Sequence, residues 1–126
     1  MPDEPACRFT CPFPPSTNHL FSSVAGRSGS AGARRAKSAI YKRWLVDAGW
    51  AIKAQTVPSI TGAVRVLIEA PVSRRRDLDN MLKPLLDIMG SSKHGLRIIE
   101  DDQMVDDLRI VRSLDGDKVT VSIWPM

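Results

Sequence analysis

Arg74-Arg75-Arg76-Asp77-Leu78-Asp79-Asn80-Met81-Leu82-Lys83 is the stretch on which the reading of this chain turns. Three guanidinium groups run directly into two carboxylates one residue apart. In an extended segment Asp77 and Asp79 share a face and Leu78 takes the other. Their Cα atoms then stand about 6.6 Å apart, a spacing at which two carboxylates can share one hard divalent cation. In a helix, residues two apart do not face each other and the pair loses that meaning. The same letters also fit an Arg-rich surface turn in which Asp79 or Asn80 caps a helix.

The flanks favour the extended form. Upstream, Gly62–Ala70 is rich in β-branched residues and bounded by Gly62 and Pro71, which predicts a strand. Downstream, Leu82, Leu85, Leu86 and Met89 are spaced to face inward from a helix over about Met81–Ser91. Pro84 fits only if that helix begins near Met81, because the first helical amides have no intrahelical partner. Asp77–Asn80 then stays outside the helix.

Further out, Cys7–Phe13 reads as a short strand stopped by Pro12, Pro14 and Pro15. Phe13-Pro14-Pro15-Ser16-Thr17-Asn18 is a rigid turn followed by side-chain acceptors. Residues 22–32 are Gly/Ser-rich, which predicts a loop carrying Arg27. A long helix is expected from Ala33 to about Gln55, with Ile40, Trp44, Ala48 and Ala51 as its apolar stripe and Arg34, Arg35 and Lys37 on its first turns. Its tryptophans read as packing residues rather than base-stacking platforms. Val105–Leu114 and Lys118–Trp124 read as two strands joined through Asp115-Gly116, a strong hairpin signal. The order strand-helix-strand-helix-strand-strand predicts an α+β fold, a mixed sheet of about four strands with two helices, in one domain over residues 1–126.

Composition narrows the function. The chain has 126 residues, 43% hydrophobic and 25% charged, ordinary for a soluble globular protein. No apolar run approaches the roughly 18 residues that span a bilayer. The acidic, Pro-rich N-terminus is unlike an export signal. Cys7 and Cys11 have neither further cysteines nor a histidine cluster near them, so they read as free thiols of a cytoplasmic protein.

The net charge is +4, and its distribution says more than its size. Arg27, Arg34, Arg35, Lys37, Lys42 and Arg43 fall in a segment with no acid; Asp101, Asp102, Asp106 and Asp107 fall in one with no base. A basic surface with an acidic pocket suits a metal-dependent enzyme acting on a polyanion. It also describes solvated faces of no particular purpose.

Three blocks together resemble the RusA family of Holliday junction resolvases. Phe13-Pro14-Pro15-Ser16-Thr17-Asn18 is similar to that family's Pro-Pro-Ser-x-Asn turn. Arg75-Arg76-Asp77-Leu78-Asp79-Asn80 with Lys83 is similar to its Arg-Asp-x-Asp-Asn-x-x-Lys signature. Asp101-Asp102-Gln103-Met104-Val105 is similar to Asp-Asp-x-Gln-Val, although Met104 stands where the family has Gln.

The resemblance implies that Asp77, Asp79 and Asp102, with Asp101 as the alternative, hold Mg2+ or Mn2+, and that Lys83 assists at the scissile phosphate. It implies a homodimer that cuts branched DNA, the four-way junction, symmetrically on two strands. Arg74, Arg75, Arg76, Asn18, Arg27, Arg34, Arg35 and Lys37 are then the candidate DNA contacts. A structured-DNA binder with little or no catalysis, or a metal-dependent nuclease on flaps or RNA, remains compatible with the same residues.

Overall fold

The computed structural model describes residues 4–15, 21–23, 35–71, 81–113 and 116–126. Its elements in chain order are β1 (Cys7–Cys11), β2 (Phe21–Ser23), β3 (Arg35–Lys37), α1 (Ala39–Lys53), β4 (Val64–Ala70), α2 (Leu82–Met89), a 3₁₀ turn (Asp102–Met104), β5 (Val105–Arg112) and β6 (Val119–Pro125). Four strands form one mixed sheet in the order β1-β6-β4-β5, while β2 and β3 pair as a separate antiparallel ribbon. The expected α+β fold with a four-stranded mixed sheet and two helices is what forms.

β4 is the centre of the sheet because its sequence alternates as a half-buried strand must. Val64, Val66, Ile68 and Ala70 are buried, and the residues between them are half-buried. β4 pairs parallel to β5 with Ile68 opposite Ile110, and antiparallel to β6 with Ile68 opposite Val121. β6 in turn pairs antiparallel to β1 with Val121 opposite Phe9. The residues facing one another in this register line one face of the sheet. They join the buried residues of α1 and α2 in a single core. The fold is therefore two layers, helices on one face of a sheet.

The last two strands do not form the hairpin expected at Asp115-Gly116, which itself falls partly outside the described residues. β4 lies between β5 and β6. Gly116 still adopts a positive φ of 81°, as a tight reversal favours. The short connection thus spans a strand instead of joining neighbours. β4 hydrogen-bonds to both strands, and its buried alternate residues set it in the middle of the sheet over the core.

α1 begins later than its sequence suggests. Ser38 caps it, its hydroxyl accepting from the Tyr41 amide at 3.1 Å. Arg35 and Lys37, expected on its first turns, instead belong to β3, whose backbone pairs with β2. The apolar stripe is also rotated from the expected one. Tyr41, Trp44, Leu45, Ala48, Gly49 and Ile52 are buried, whereas Ile40 is 58% exposed. Trp44 donates its indole N–H to the Pro12 carbonyl at 3.0 Å, tying the helix to the end of β1. At the far end the Gln55 side chain accepts from the Thr10 amide at 2.9 Å and donates to the Thr10 carbonyl at 2.7 Å. It thereby satisfies the outer edge of β1, which no strand covers among the described residues.

α2 begins at Leu82 with Pro84 in its first turn, where a missing N–H costs nothing, as expected. Met81, Leu85, Ile88 and Met89 are buried beneath it. No helix among the described residues is long and apolar enough to cross a membrane.

Candidate active site

α2 carries Lys83 and Asp87 four residues apart, so both project from one face. Lys83 Nζ donates to Asp87 Oδ1 at 3.0 Å. The other carboxylate oxygen, Oδ2, accepts from the Tyr41 hydroxyl of α1. Asp87 is only 12% exposed while Lys83 is 59% exposed, so the pair joins a largely covered carboxylate to an accessible ammonium. Burial, with the Asp87 carboxylate beside it, pushes the Tyr41 phenol far above its usual range. Tyr41 therefore remains a protonated donor at any working pH.

After α2 the chain turns sharply back on itself. Ser92 Oγ donates to the Asp87 carbonyl at 2.8 Å. The Ile98 amide donates to the Met89 carbonyl at 2.8 Å, and the Ile99 amide to the same carbonyl at 3.1 Å. A bridge from Ile60 to Ile99 fixes the incoming chain against the core. These bonds deliver Asp101 and Asp102 to the flank of α2. The Asp101 carboxylate caps the 3₁₀ turn by accepting from the Asp102 amide at 2.8 Å.

Leu86, Asp87, Gly90, Ser91, Ser92, Asp101 and Asp102 enclose a cleft of about 160 Å³. Hydrogen bonding to the neighbouring Asp101 carboxylate raises the Asp102 pKa above the usual carboxylate value, and partial desolvation and Asp101's charge add to it. Lys83 pulls it the other way. A cation beside the turn would relieve the charge that Asp101 presents to Asp102. Their oxygens are the hard donors that magnesium and manganese prefer. The turn supplies two such carboxylates; among the described residues no group of three His, Cys, Asp or Glu side chains could hold a metal ion.

Of the residues singled out in the sequence, the structure brings Lys83, Asp101 and Asp102 to the same region of the molecule. Asp77, Asp79, Arg74, Arg75, Arg76, Asn18, Arg27 and Arg34 lie outside the described residues. Met81, the residue after Asn80, is buried at the foot of α2. Sequence reasoning missed Asp87 and Tyr41. The spacing of Lys83 and Asp87 was visible as a helical ion pair, but Tyr41 stands 46 residues away from Asp87.

Comparison with known proteins fits this arrangement. The family described as Endodeoxyribonuclease RusA matches residues 12–124, nearly the whole chain. This chain belongs to the RusA family. Among its curated relatives is the crossover junction endodeoxyribonuclease RusA of Enterobacteria phage HK97. The two are 32% identical over 107 residues, covering 85% of this chain and 82% of the phage protein. The RusA match takes in the basic–acidic stretch at 74–83, the Lys83–Asp87 pair and the Asp101–Asp102 turn. The resemblance seen in three short motifs therefore extends through the fold that carries them.

Proposed function

We propose that this RusA-family endodeoxyribonuclease resolves four-way DNA junctions by metal-assisted hydrolysis, acting as a symmetric dimer. The observation that carries the site assignment is the Asp101–Asp102 turn packed beside the Lys83–Asp87 pair, in a chain matching the family from residue 12 to residue 124. Asp77, Asp79 and Asp102 would hold Mg2+ or Mn2+. When bound, the metal supplies a lowered pKa for water and polarises the phosphate.

The chain's own residues do the rest. Asp101 accepts from the Asp102 amide and so fixes the turn that presents the Asp102 carboxylate. Lys83 keeps an exposed ammonium that can balance charge growing on the scissile phosphate or its leaving oxygen. Asp87, itself held by Tyr41, limits where that ammonium can go. Arg74, Arg75 and Arg76 precede the acidic pair in sequence and would neutralise flanking phosphates. Arg27, Arg34, Arg35, Lys37 and Asn18 would extend that contact. Two buried, unpaired thiols agree with a cytoplasmic setting.

Cleavage of synthetic four-way junction, flap and linear duplex, with magnesium or with EDTA, tests the assignment. Paired nicks in the junction with magnesium and none with EDTA are expected. Preference for flap or for RNA would move the substrate elsewhere, and metal-independent cutting would remove the metal site.

A further inference from the structure

Trp44 is buried as a packing residue should be, but Trp50, expected to pack likewise, projects from α1 with 70% of its surface exposed, and Val46, one turn before it, is 48% exposed. They form one wall of a groove of about 300 Å³ whose other wall is the 93–96 loop. Three cationic or titratable side chains line it: Lys53 from α1, and Lys93 and His94 from the loop. Among the described residues no carboxylate lines the groove, and Asp47, exposed on α1, is not part of its lining. Lys53 Nζ already lies 5.6 Å from the Trp50 ring centroid. An exposed indole flanked by cations is the combination that holds single-stranded nucleic acid: the ring stacks on a base and the cations take the adjoining phosphates.

The groove belongs to the same loop as the acidic cleft. Ser91 and Ser92 line the cleft, and Lys93 and His94 line the groove. The loop holds its shape because Gly95 packs directly on the Gly90 carbonyl, where a Cβ would come within 2.0 Å of the oxygen.

We infer that the Trp50 groove binds DNA, stacking an unpaired base exposed at a branch point while Lys53, Lys93 and His94 contact its flanking phosphates. The inference rests on the reading of branched DNA as substrate. A second copy of the chain is the weaker occupant. Self-pairing face to face about a two-fold axis would bring the three basic side chains against their own images.

The test measures binding of a four-way junction and of a linear duplex of equal length, by wild type, Trp50→Ala, Trp50→Phe and Lys53→Ala/Lys93→Ala. Trp50→Ala should weaken junction binding about tenfold and duplex binding far less. Trp50→Phe should restore most of the loss. The double lysine variant should flatten the log–log salt dependence by roughly 0.9 per phosphate contact removed. Unchanged junction affinity in Trp50→Ala would overturn the inference, as would equal losses on junction and duplex. Loss of self-association in Trp50→Ala would identify the groove as a contact between copies and overturn it too. If wild type itself shows no preference for the junction, the substrate reading fails first. An active, junction-selective wild type with an indifferent Trp50→Ala variant would sink the groove alone.

Discussion

The Asp87 carboxylate stands between Lys83 and Tyr41, accepting from the Lys83 ammonium at 3.0 Å on one oxygen and from the Tyr41 hydroxyl on the other. An exposed lysine alone samples many rotamers, and a surface ion pair restrains it little. Here the partner is largely covered and is held by Tyr41 of a second helix. On the proposed role of Lys83, Asp87 acts as its positioning residue. Asp87→Asn should lower the single-turnover cleavage rate about tenfold, the equivalent of roughly 1.4 kcal/mol, with junction affinity nearly unchanged. In a Lys83→Ala background the same substitution should have almost no further effect. Equal losses in both backgrounds would show that Asp87 acts only on stability.

The two cysteines make a prediction about pH. Burial raises the Cys7 thiol to about 11 and the Cys11 thiol to about 12, from an ordinary value of 9.0. Both folded-state values lie above the unfolded one. Their stabilising contribution is therefore complete below pH 9 and lost as pH rises through 11 to 12. Folded protein at pH 8 should react with a thiol reagent only as fast as it opens, and both thiols should react at once in denaturant. Rapid modification of native protein would contradict the burial of β1.

Gly95 is where backbone packing leaves no room for a side chain. Because its Cβ would meet the Gly90 carbonyl oxygen at 2.0 Å, Gly95→Ala must displace the loop between cleft and groove. A loss of about 2 kcal/mol in denaturant unfolding is expected, toward the upper part of the usual range for single substitutions. Gly116→Ala meets no neighbouring atom, though its positive φ still carries a smaller strain cost. A Gly95→Ala variant as stable as wild type would contradict the packing of Gly95 on Gly90.

Paired cuts on opposed strands, as proposed, would require two sites, and the proposed metal site takes one set of residues from each chain. A symmetric dimer near 28 kDa, twice 13.9 kDa, is expected by light scattering with or without DNA. Much of the apolar surface that the sequence offers for pairing is already used. Trp44, Val119, Val121 and Ile123 are in the core, leaving Val105, Ile110 and Val111 half-buried on β5, an edge of the sheet. On a supercoiled cruciform, a dimer of wild-type and Asp79→Asn chains should stop at the nicked circle. A monomeric mass with full linearisation by that mixture would exclude the two-site account.

The parts of this fold legible in the sequence are those that local rules dictate. The alternation in β4 and the fixed position of Pro84 placed a strand and a helix start correctly. What local rules cannot supply is which strands become neighbours. Asp115-Gly116 signals a reversal, yet β4 comes between β5 and β6 and hydrogen-bonds to both. Likewise Ala33–Lys37 looks helical by propensity, but Arg35–Lys37 pairs with Phe21–Ser23, and Ser38 takes the cap. Ile40 and Tyr41 both fit a helical spacing; in the fold Tyr41 is buried, its hydroxyl donating to Asp87, while Ile40 faces out. Of the candidate residues, Lys83, Asp101 and Asp102 stand out in the sequence and lie in one region of the structure, whereas Tyr41 enters through tertiary packing alone.

The central claim is that Asp77, Asp79 and Asp102 form one metal site at which the junction is cut. Single-turnover cleavage and binding of one four-way junction by wild type, Asp79→Asn and Asp102→Asn, in magnesium, tests it most directly. Both variants should lose cleavage by at least about a thousandfold, a barrier change of roughly 4 kcal/mol, and bind the junction as tightly as wild type or tighter, since each removes negative charge beside phosphates. Cleavage by either variant at the wild-type rate would contradict the claim.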